Sequence, residues 1–317
     1  MRTRRKAKQS RSSRMFRTRS SRKRQRGGEK KCLFINWGPG VGIGNQLCIY
    51  AAATIIKDKV KNWDLCIPPM KNNPHTDTDY RFLFTQGRPV EIKPEIEERI
   101  RVATLVHKNK NIRHGPWKNT DLVTNSGDPL GNSTKNLRMK TTEEPEAGYY
   151  HNYGSIEPIL DKIRPELQEK LAQRYKSQVE VPESSAFIHI RHGDYEKYKI
   201  LSPMEYYKAA KARLEQEAGI GTIYILSEPT GIAWAKQEGL AQEAGKKIIT
   251  IDDSDELKVL YIMSRCKGGA CISASTYSMW GAILGPAENK SSMIIYPSKW
   301  IHISAKELSF PERWIQI

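Results

Sequence analysis

Between Ser184 and Pro297 short apolar runs alternate with amphipathic stretches, and nothing else in the chain constrains its fold as tightly. "SAFIHI", "GTIYILS", "KKIITI", "GACISA" and "SMIIYP" read as strands. "SPMEYYKAAKARLEQEAG", "EPTGIAWAKQEG", "SDELKVLYIMSRC" and "STYSMWGAIL" read as helices, the first with Ser202 as N-cap and Pro203 at its first position. Strands alternating with helices at this spacing predict a parallel sheet covered by helices on both faces. Upstream, "KCLFINW" reads as a buried strand, followed by a Gly-rich turn that opens a helix over about 45–57. "WDLCIP" and "RVATLV" read as further strands, and "EPILDKIRPELQEKLAQRYKSQ" has the spacing of a long helix. The expected fold class is α/β, with two halves, 32–180 and 181–317, facing each other across a cleft.

Residues 1–31 form a separate segment. They hold fifteen Lys or Arg and one acid, so they carry +14 of the net +17 and leave +3 for the rest. With almost nothing apolar to offset its ordering entropy, this basic tail is expected to be disordered. Its charge suits contact with nucleic acid, an anionic membrane surface or another polyanion, and equally a nuclear-import signal or a solubilising arm. The tail lacks the apolar core of a secretory signal, and no run approaches the roughly 18 apolar residues of a membrane span. The expected location is therefore cytoplasmic, with nuclear or membrane-surface association through the tail. Five cysteines without a C-x-x-C pair fit a reducing compartment and buried thiols.

In open α/β sheets ligands sit beyond the carboxyl ends of the strands, and the chemically distinctive residues lie there. "FIHIRHGDY" runs a buried strand into Arg191, His192, Gly193 and Asp194. Arg191 offers a rigid fork of donors suited to a diphosphate. His189 alternates with apolar neighbours and reads equally as a satisfied core histidine. Asp194 is open as a base, an arginine partner or a turn residue. "GPGVGIGNQ" is no P-loop, since no Lys-Ser/Thr follows its last glycine. It lets the backbone approach a ligand and feeds a helix N-terminus, or it is only a tight strand-to-helix turn. "STYS" offers Ser275 as N-cap and the N–H groups of Thr276, Tyr277 and Ser278 to an anion, or again a simple cap. No cluster of His, Cys, Asp or Glu has metal-ligand spacing, and no metal is expected.

Six segments in order resemble glycosyltransferase family 11, the α-1,2-fucosyltransferase family. They are Gly42–Gln46, "GYYHNY" at 148–153, His189-x-Arg191-x-Gly193-Asp194-Tyr195, "ILSEPTGIAW" at 225–234, "MSRC…CISASTYSMWGAILG" and "IIYPSKW". The resemblance spans about 31–300. It implies two Rossmann-like domains of the GT-B type, inverting and metal-independent transfer of L-fucose from GDP-fucose to a glycan hydroxyl, and a donor held mainly by the C-terminal half. By position, Arg191 matches the arginine on the donor diphosphate and His189 lies on the nucleotide side. Ser275, Thr276, Tyr277 and Ser278 match the serine-rich turn at the phosphates. Gly42, Gly44, Asn45 and Gln46 match a loop closing over the donor, and Ser227 with Glu228 matches a Ser-Asp pair. Asp194 is the nearest candidate for the base that accepts the acceptor's proton. The chain departs from the family at His192, where a second arginine is usual, and at Val259, where an acid is usual and where Glu256 and Asp255 stand nearly a turn earlier. The alternatives are a transferase for another nucleotide sugar, or a polyanion- or nucleic-acid-binding protein on a degenerate transferase scaffold. A binding fold should carry a basic face in its core, and residues 32–317 are only +3.

Overall fold

The structure is a computed structural model that describes residues 31–35, 42–59, 63–69, 78–91, 122–124, 153–300, 303–304 and 308–317. The basic tail, the first turns of "GPGVGIGNQ", the "RVATLV" strand and most of "GYYHNY" lie outside the described residues. Lys31, expected as the last residue of the tail, opens the first strand.

Lys31–Ile317 form one compact unit. A four-stranded sheet is built from β1 (Lys31–Ile35), β2 (Trp63–Ile67), β3 (Arg88–Pro89) and β4 (Leu122–Thr124), in the order β3-β2-β1-β4. β1, β2 and β3 run parallel, and β4 runs antiparallel to β1. The second sheet contains β5 (Ser185–His189), β6 (Thr222–Leu226), β7 (Lys247–Ile251), β8 (Gly269–Cys271), β9 (Met293–Tyr296) and, beyond a small β10–β11 hairpin at Lys299–Trp300 and Ile303–Ser304, β12 (Ile315–Gln316). Its order is β12-β9-β8-β5-β6-β7, and every pairing in it is parallel. β5 is buried along its whole length, as a strand covered on both faces must be. The α/β reading with a parallel sheet is therefore correct. The strand order reverses between β8 and β5, which is where such a sheet opens a crevice beyond its strand ends.

Seven helices connect these strands among the described residues: α1 (Ile43–Lys59), α2 (Tyr153–Tyr175), α3 (Gly193–Lys197), α4 (Met204–Gln216), α5 (Pro229–Gln237), α6 (Glu256–Arg265) and α7 (Thr276–Leu284). α1 is apolar almost all round, and Leu47 to Ala53 are completely buried, because it is covered by β1 and β2 and by α2 and α7. On α2 the apolar residues Ile156, Ile159, Leu160, Ile163, Leu167 and Leu171 recur at helical spacing and are all buried. They pack against α1, α6 and α7. One apolar core thus runs from Ile35 through α1 and α2 to Trp280 and Trp314, and joins the two sheets.

Two local expectations need correction. The cap of α4 is Pro203 and not Ser202, and it makes no side-chain cap bond; Pro203 has ψ 152°, extended rather than helical, so the helix starts one residue later. Cys48, Cys266 and Cys271 are buried free thiols, but Cys66 is disulfide-bonded, which no spacing in the sequence announces. Burial pushes the Cys48 and Cys271 thiols up to about 12, so they are inert as nucleophiles.

Candidate active site

The reversal between β8 and β5 is one end of a cavity of about 340 Å³. Its walls come from the loops after β5, β6, β7 and β8, from the first turns of α6 and α7, and from the N-terminus of α1. Gly42, Gly44, Asn45, His189, Arg191, Asp194, Ser227, Ser275, Thr276 and Tyr277 all line it. Asn45 and Thr276, 231 positions apart in the chain, meet here.

Arg191 sits where β5 ends. Its Nη2 is 2.9 Å from Asp194 Oδ1, and its guanidinium lies 5.5 Å from the Tyr195 ring centroid. The side chain keeps 35% of its surface exposed, so a cation is held in place and still reaches the cavity. The turn behind it is fixed by β6. Ser227 Oγ donates to the Ile190 carbonyl at 2.7 Å, and Glu228 Oε1 accepts from the His192 N–H at 3.0 Å. Gly193 has φ +21°, and a Cβ there would lie 2.7 Å from Glu228 Oε1, so the "HGD" turn requires glycine. Tyr195 Oη donates to the Ala274 carbonyl at 3.1 Å, which ties α3 to the loop that opens α7.

His189 is buried beneath this turn. Its Nδ1 lies 3.2 Å from Ser273 Oγ and its ring meets the Tyr277 ring edge-on at 5.2 Å. Burial, reinforced by the nearby Arg191 charge, lowers its pKa to about 3, so the imidazole is neutral at ordinary pH and supplies shape and a hydrogen bond, not charge.

The N-termini of α1 and α7 touch. A Cβ on Gly44 would lie 2.4 Å from Tyr277 N and 2.7 Å from Tyr277 Cα, a backbone approach that glycine alone permits. Thr276 Oγ1 donates to Asn45 Oδ1 at 2.6 Å, and Trp280 Nε1 donates to Cys48 Sγ at 3.1 Å one turn below. Ser275 occupies the N-cap of α7 but makes no side-chain cap bond.

Two expected site residues turn away from the cavity. Ser278 is fully buried, and its Oγ accepts from the Ser273 N–H at 3.0 Å. Gln46 is buried in the first turn of α1 and is not part of the wall. His192, which stands where a second arginine is usual in the family, also points inward. It packs on Trp234 at 5.3 Å between ring centroids and brings no second cation to the cavity.

Sequence reasoning left out Tyr195, Asp253, Ser254 and Glu256 as site residues, although all four line the cavity. Asp253 and Ser254 directly follow the "KIITI" strand, so the strand-end rule applied to β7 would have found them. Asp253 is held low by hydrogen bonds from Lys258 and from the Asp255 N–H. Asp255 caps α6, accepting from the N–H groups of Leu257 and Lys258. Glu256 and Val259 follow it on one cavity-facing side of α6. Among the described residues no three His, Cys, Asp or Glu side chains gather as a metal site requires, and no helix is long and apolar enough to cross a membrane.

The chain is 24% identical over 314 residues, 87% of this chain and 98% of the relative, to the O-antigen biosynthesis glycosyltransferase WbnK of Escherichia coli. Solved structures are more distant. A glycosyl transferase family 9 protein from Veillonella parvula aligns over 84% of this chain and 81% of its own at 8% identity, with a TM-score of 0.43. The E. coli heptosyltransferase WaaC with ADP-2-deoxy-2-fluoro heptose aligns over 87% and 90% at 12% identity, with a TM-score of 0.43. The family model of glycosyl transferase family 11 matches residues 99–317, and the chain belongs to that family of glycosyltransferases.

Proposed function

We propose that the protein transfers L-fucose from GDP-fucose to a hydroxyl of a glycan acceptor, with inversion and in α-1,2 linkage. The observation that carries this reading is the convergence of Arg191 with the N-terminus of α7 at the point where the strand order reverses. In such a transfer the acceptor oxygen bonds to the anomeric carbon while the bond from that carbon to the diphosphate oxygen breaks; the diphosphate leaves with the electron pair and the acceptor's proton passes to solvent. The chemical difficulty is the charge that gathers on the departing diphosphate. A fixed guanidinium and the positive end of a nine-residue helix meet that charge without a metal. Arg191 needs no reorganisation at that moment, because Asp194 and the Tyr195 ring already hold it. Asp194 Oδ1 is engaged by that guanidinium, so in this reading Asp194 positions Arg191 rather than receiving the acceptor's proton. The N-terminal half, with Gly44 and Asn45 against α7, closes the donor in, and the acceptor enters from that side.

A thermal-shift panel of GDP, UDP and their sugars with EDTA present tests the proposal. GDP at 100 times its dissociation constant should stabilise the protein by about 2.7 kcal/mol. A response to UDP but not GDP would sink the guanine reading, and a response abolished by EDTA would sink the metal-free one.

A further inference from the structure

Helix α3 differs from the other helices at the cavity. It runs five residues straight on from Arg191 and His192, and none of them is buried, so packing does not account for it. Its shape is nonetheless fixed. Tyr195 and Glu196 donate their N–H groups to the His192 carbonyl, and Tyr198 donates to the Asp194 carbonyl at 3.0 Å. The Ile200 N–H then returns to the Tyr195 carbonyl at 3.0 Å. Lys199 closes this return with φ +56°, a left-handed conformation that glycine adopts freely and lysine does not. The chain turns back there and leaves the Tyr198 side chain at the tip.

Tyr198 is 61% exposed, and no other large apolar side chain is exposed among the described residues. Singly exposed aromatic rings are ordinary on protein surfaces; the place of this one is not. Asp194 and Tyr195, four and three residues before it, both line the cavity, and residues at those spacings share one face of a helix. The ring therefore stands on the cavity side of α3, one turn, about 5 Å, outside the wall. Lys197 Nζ lies over the ring at 5.9 Å from its centroid, which leaves the opposite face to solvent. Through Tyr195 Oη and the Ala274 carbonyl, α3 is tied to the loop that opens α7, beside the point where α7 meets α1. In the proposed transfer the acceptor enters from that side.

We infer that Tyr198 is a platform for the acceptor glycan, its open face stacking on the sugar next to the one that receives the transferred residue. The inference rests on the proposed transfer and adds that the acceptor has at least two sugar rings. The face of an aromatic ring carries negative potential, and the C–H hydrogens on one side of a pyranose present a weakly positive, apolar patch to it. The hydroxyls at the rim of the sugar stay in water, as they must over a ring this exposed. A nucleobase could stack in the same way, so the test includes the free nucleotide.

Initial rates with GDP-fucose on matched acceptors test this. The pairs are methyl β-galactoside with lactose, methyl β-glucoside with cellobiose, methyl α-mannoside with α-1,2-mannobiose, and methyl β-N-acetylglucosaminide with chitobiose. Each disaccharide ends in the sugar of its partner. For the pair that is turned over, KM for the disaccharide should be lower by about tenfold. Tyr198→Ala should raise it to the level of the monosaccharide. It should leave kcat, KM for the monosaccharide and the calorimetric affinity for GDP within about twofold, as for a surface substitution. Tyr198→Phe and Tyr198→Trp should keep the preference. Equal KM values within the pair for the wild-type chain overturn the inference, as does a disaccharide KM that Tyr198→Ala leaves unchanged; the proposed transfer survives both. GDP affinity that falls with Tyr198→Ala would put the nucleotide on the ring and also overturn it. No transfer to any of the eight acceptors would remove the proposed transfer and the inference together.

Discussion

The cavity wall from the six-stranded sheet is charged, with Arg191 paired to Asp194 and carboxylates at Glu228, Asp253 and Glu256, whereas the wall at the start of α1 presents Gly42, Ile43, Gly44 and Asn45 and, among the described residues, no ionisable side chain. The two are held by different means. The charged wall is braced by side-chain hydrogen bonds from one strand end to the next. The uncharged wall is placed by backbone contact with α7. The first should therefore answer to changes in charge and donor geometry, and the second to changes in volume.

The largest effect is expected at Arg191. Lysine keeps the charge but loses the planar fork that a diphosphate accepts, and it also loses the shape that packs on Tyr195. No second cation comes from His192, and among the described residues no other Lys or Arg lines the cavity to compensate. Loss of one charge-assisted contact costs about 1.5–3 kcal/mol, so Arg191→Lys should lower kcat/KM by about tenfold or more. Near-wild-type kinetics with an intact circular-dichroism spectrum would remove the charged wall from the chemistry.

Acid should also separate the walls. His189 is buried neutral with a pKa of about 3, against about 6.5 when unfolded. Between those values the unfolded chain binds the proton and the folded one does not, so stability falls as pH drops through that window. At pH 4.5 the loss relative to pH 7 is about 2.7 kcal/mol at most. His189→Gln should flatten that acid limb in urea titrations at the two pH values. An unchanged limb would mean that His189 is not the group that titrates.

Gly44→Ala tests the other wall. The new Cβ would meet Tyr277 N at 2.4 Å and the Thr276 carbonyl carbon at 2.8 Å, and these backbone atoms cannot rotate aside. Overpacking of this kind costs about 1–3 kcal/mol, and α1 and α7 would have to part at the cavity. A wild-type urea midpoint for Gly44→Ala would show that the two N-termini separate freely.

The same contrast explains what the sequence made legible. The strands of the second sheet were readable because each is a short apolar run bounded by helix starts, a pattern that depends only on neighbours in the chain. Arg191 and Ser275 were readable because they follow such strands directly. Tyr195 was not singled out, and Glu256 was noted only as an acid a turn before Val259, because their place in the site comes from contacts with Ala274, Tyr80 and Tyr277 that lie far away in sequence. Ser278 misled for the complementary reason. It sits inside a site-like motif, but the helix geometry turns its Oγ to the Ser273 N–H.

The smallest expected effect probes a polar link across the walls at the cavity. Asn45 Oδ1 accepts from Thr276 Oγ1 at 2.6 Å. Asn45→Ala removes that acceptor and should cost about 1 kcal/mol of stability, visible as a small shift in the urea midpoint. Asn45→Asp keeps an acceptor in the same place, so stability should stay within about 0.5 kcal/mol of wild type. It also places a negative charge on the uncharged wall, facing the position assigned to the diphosphate. GDP affinity should then fall severalfold, and the fall should shrink as salt screens the new charge. If Asn45→Asp binds GDP as tightly as wild type at low salt, the α1 wall does not face the phosphates, and the contrast between the two walls is structural without being functional.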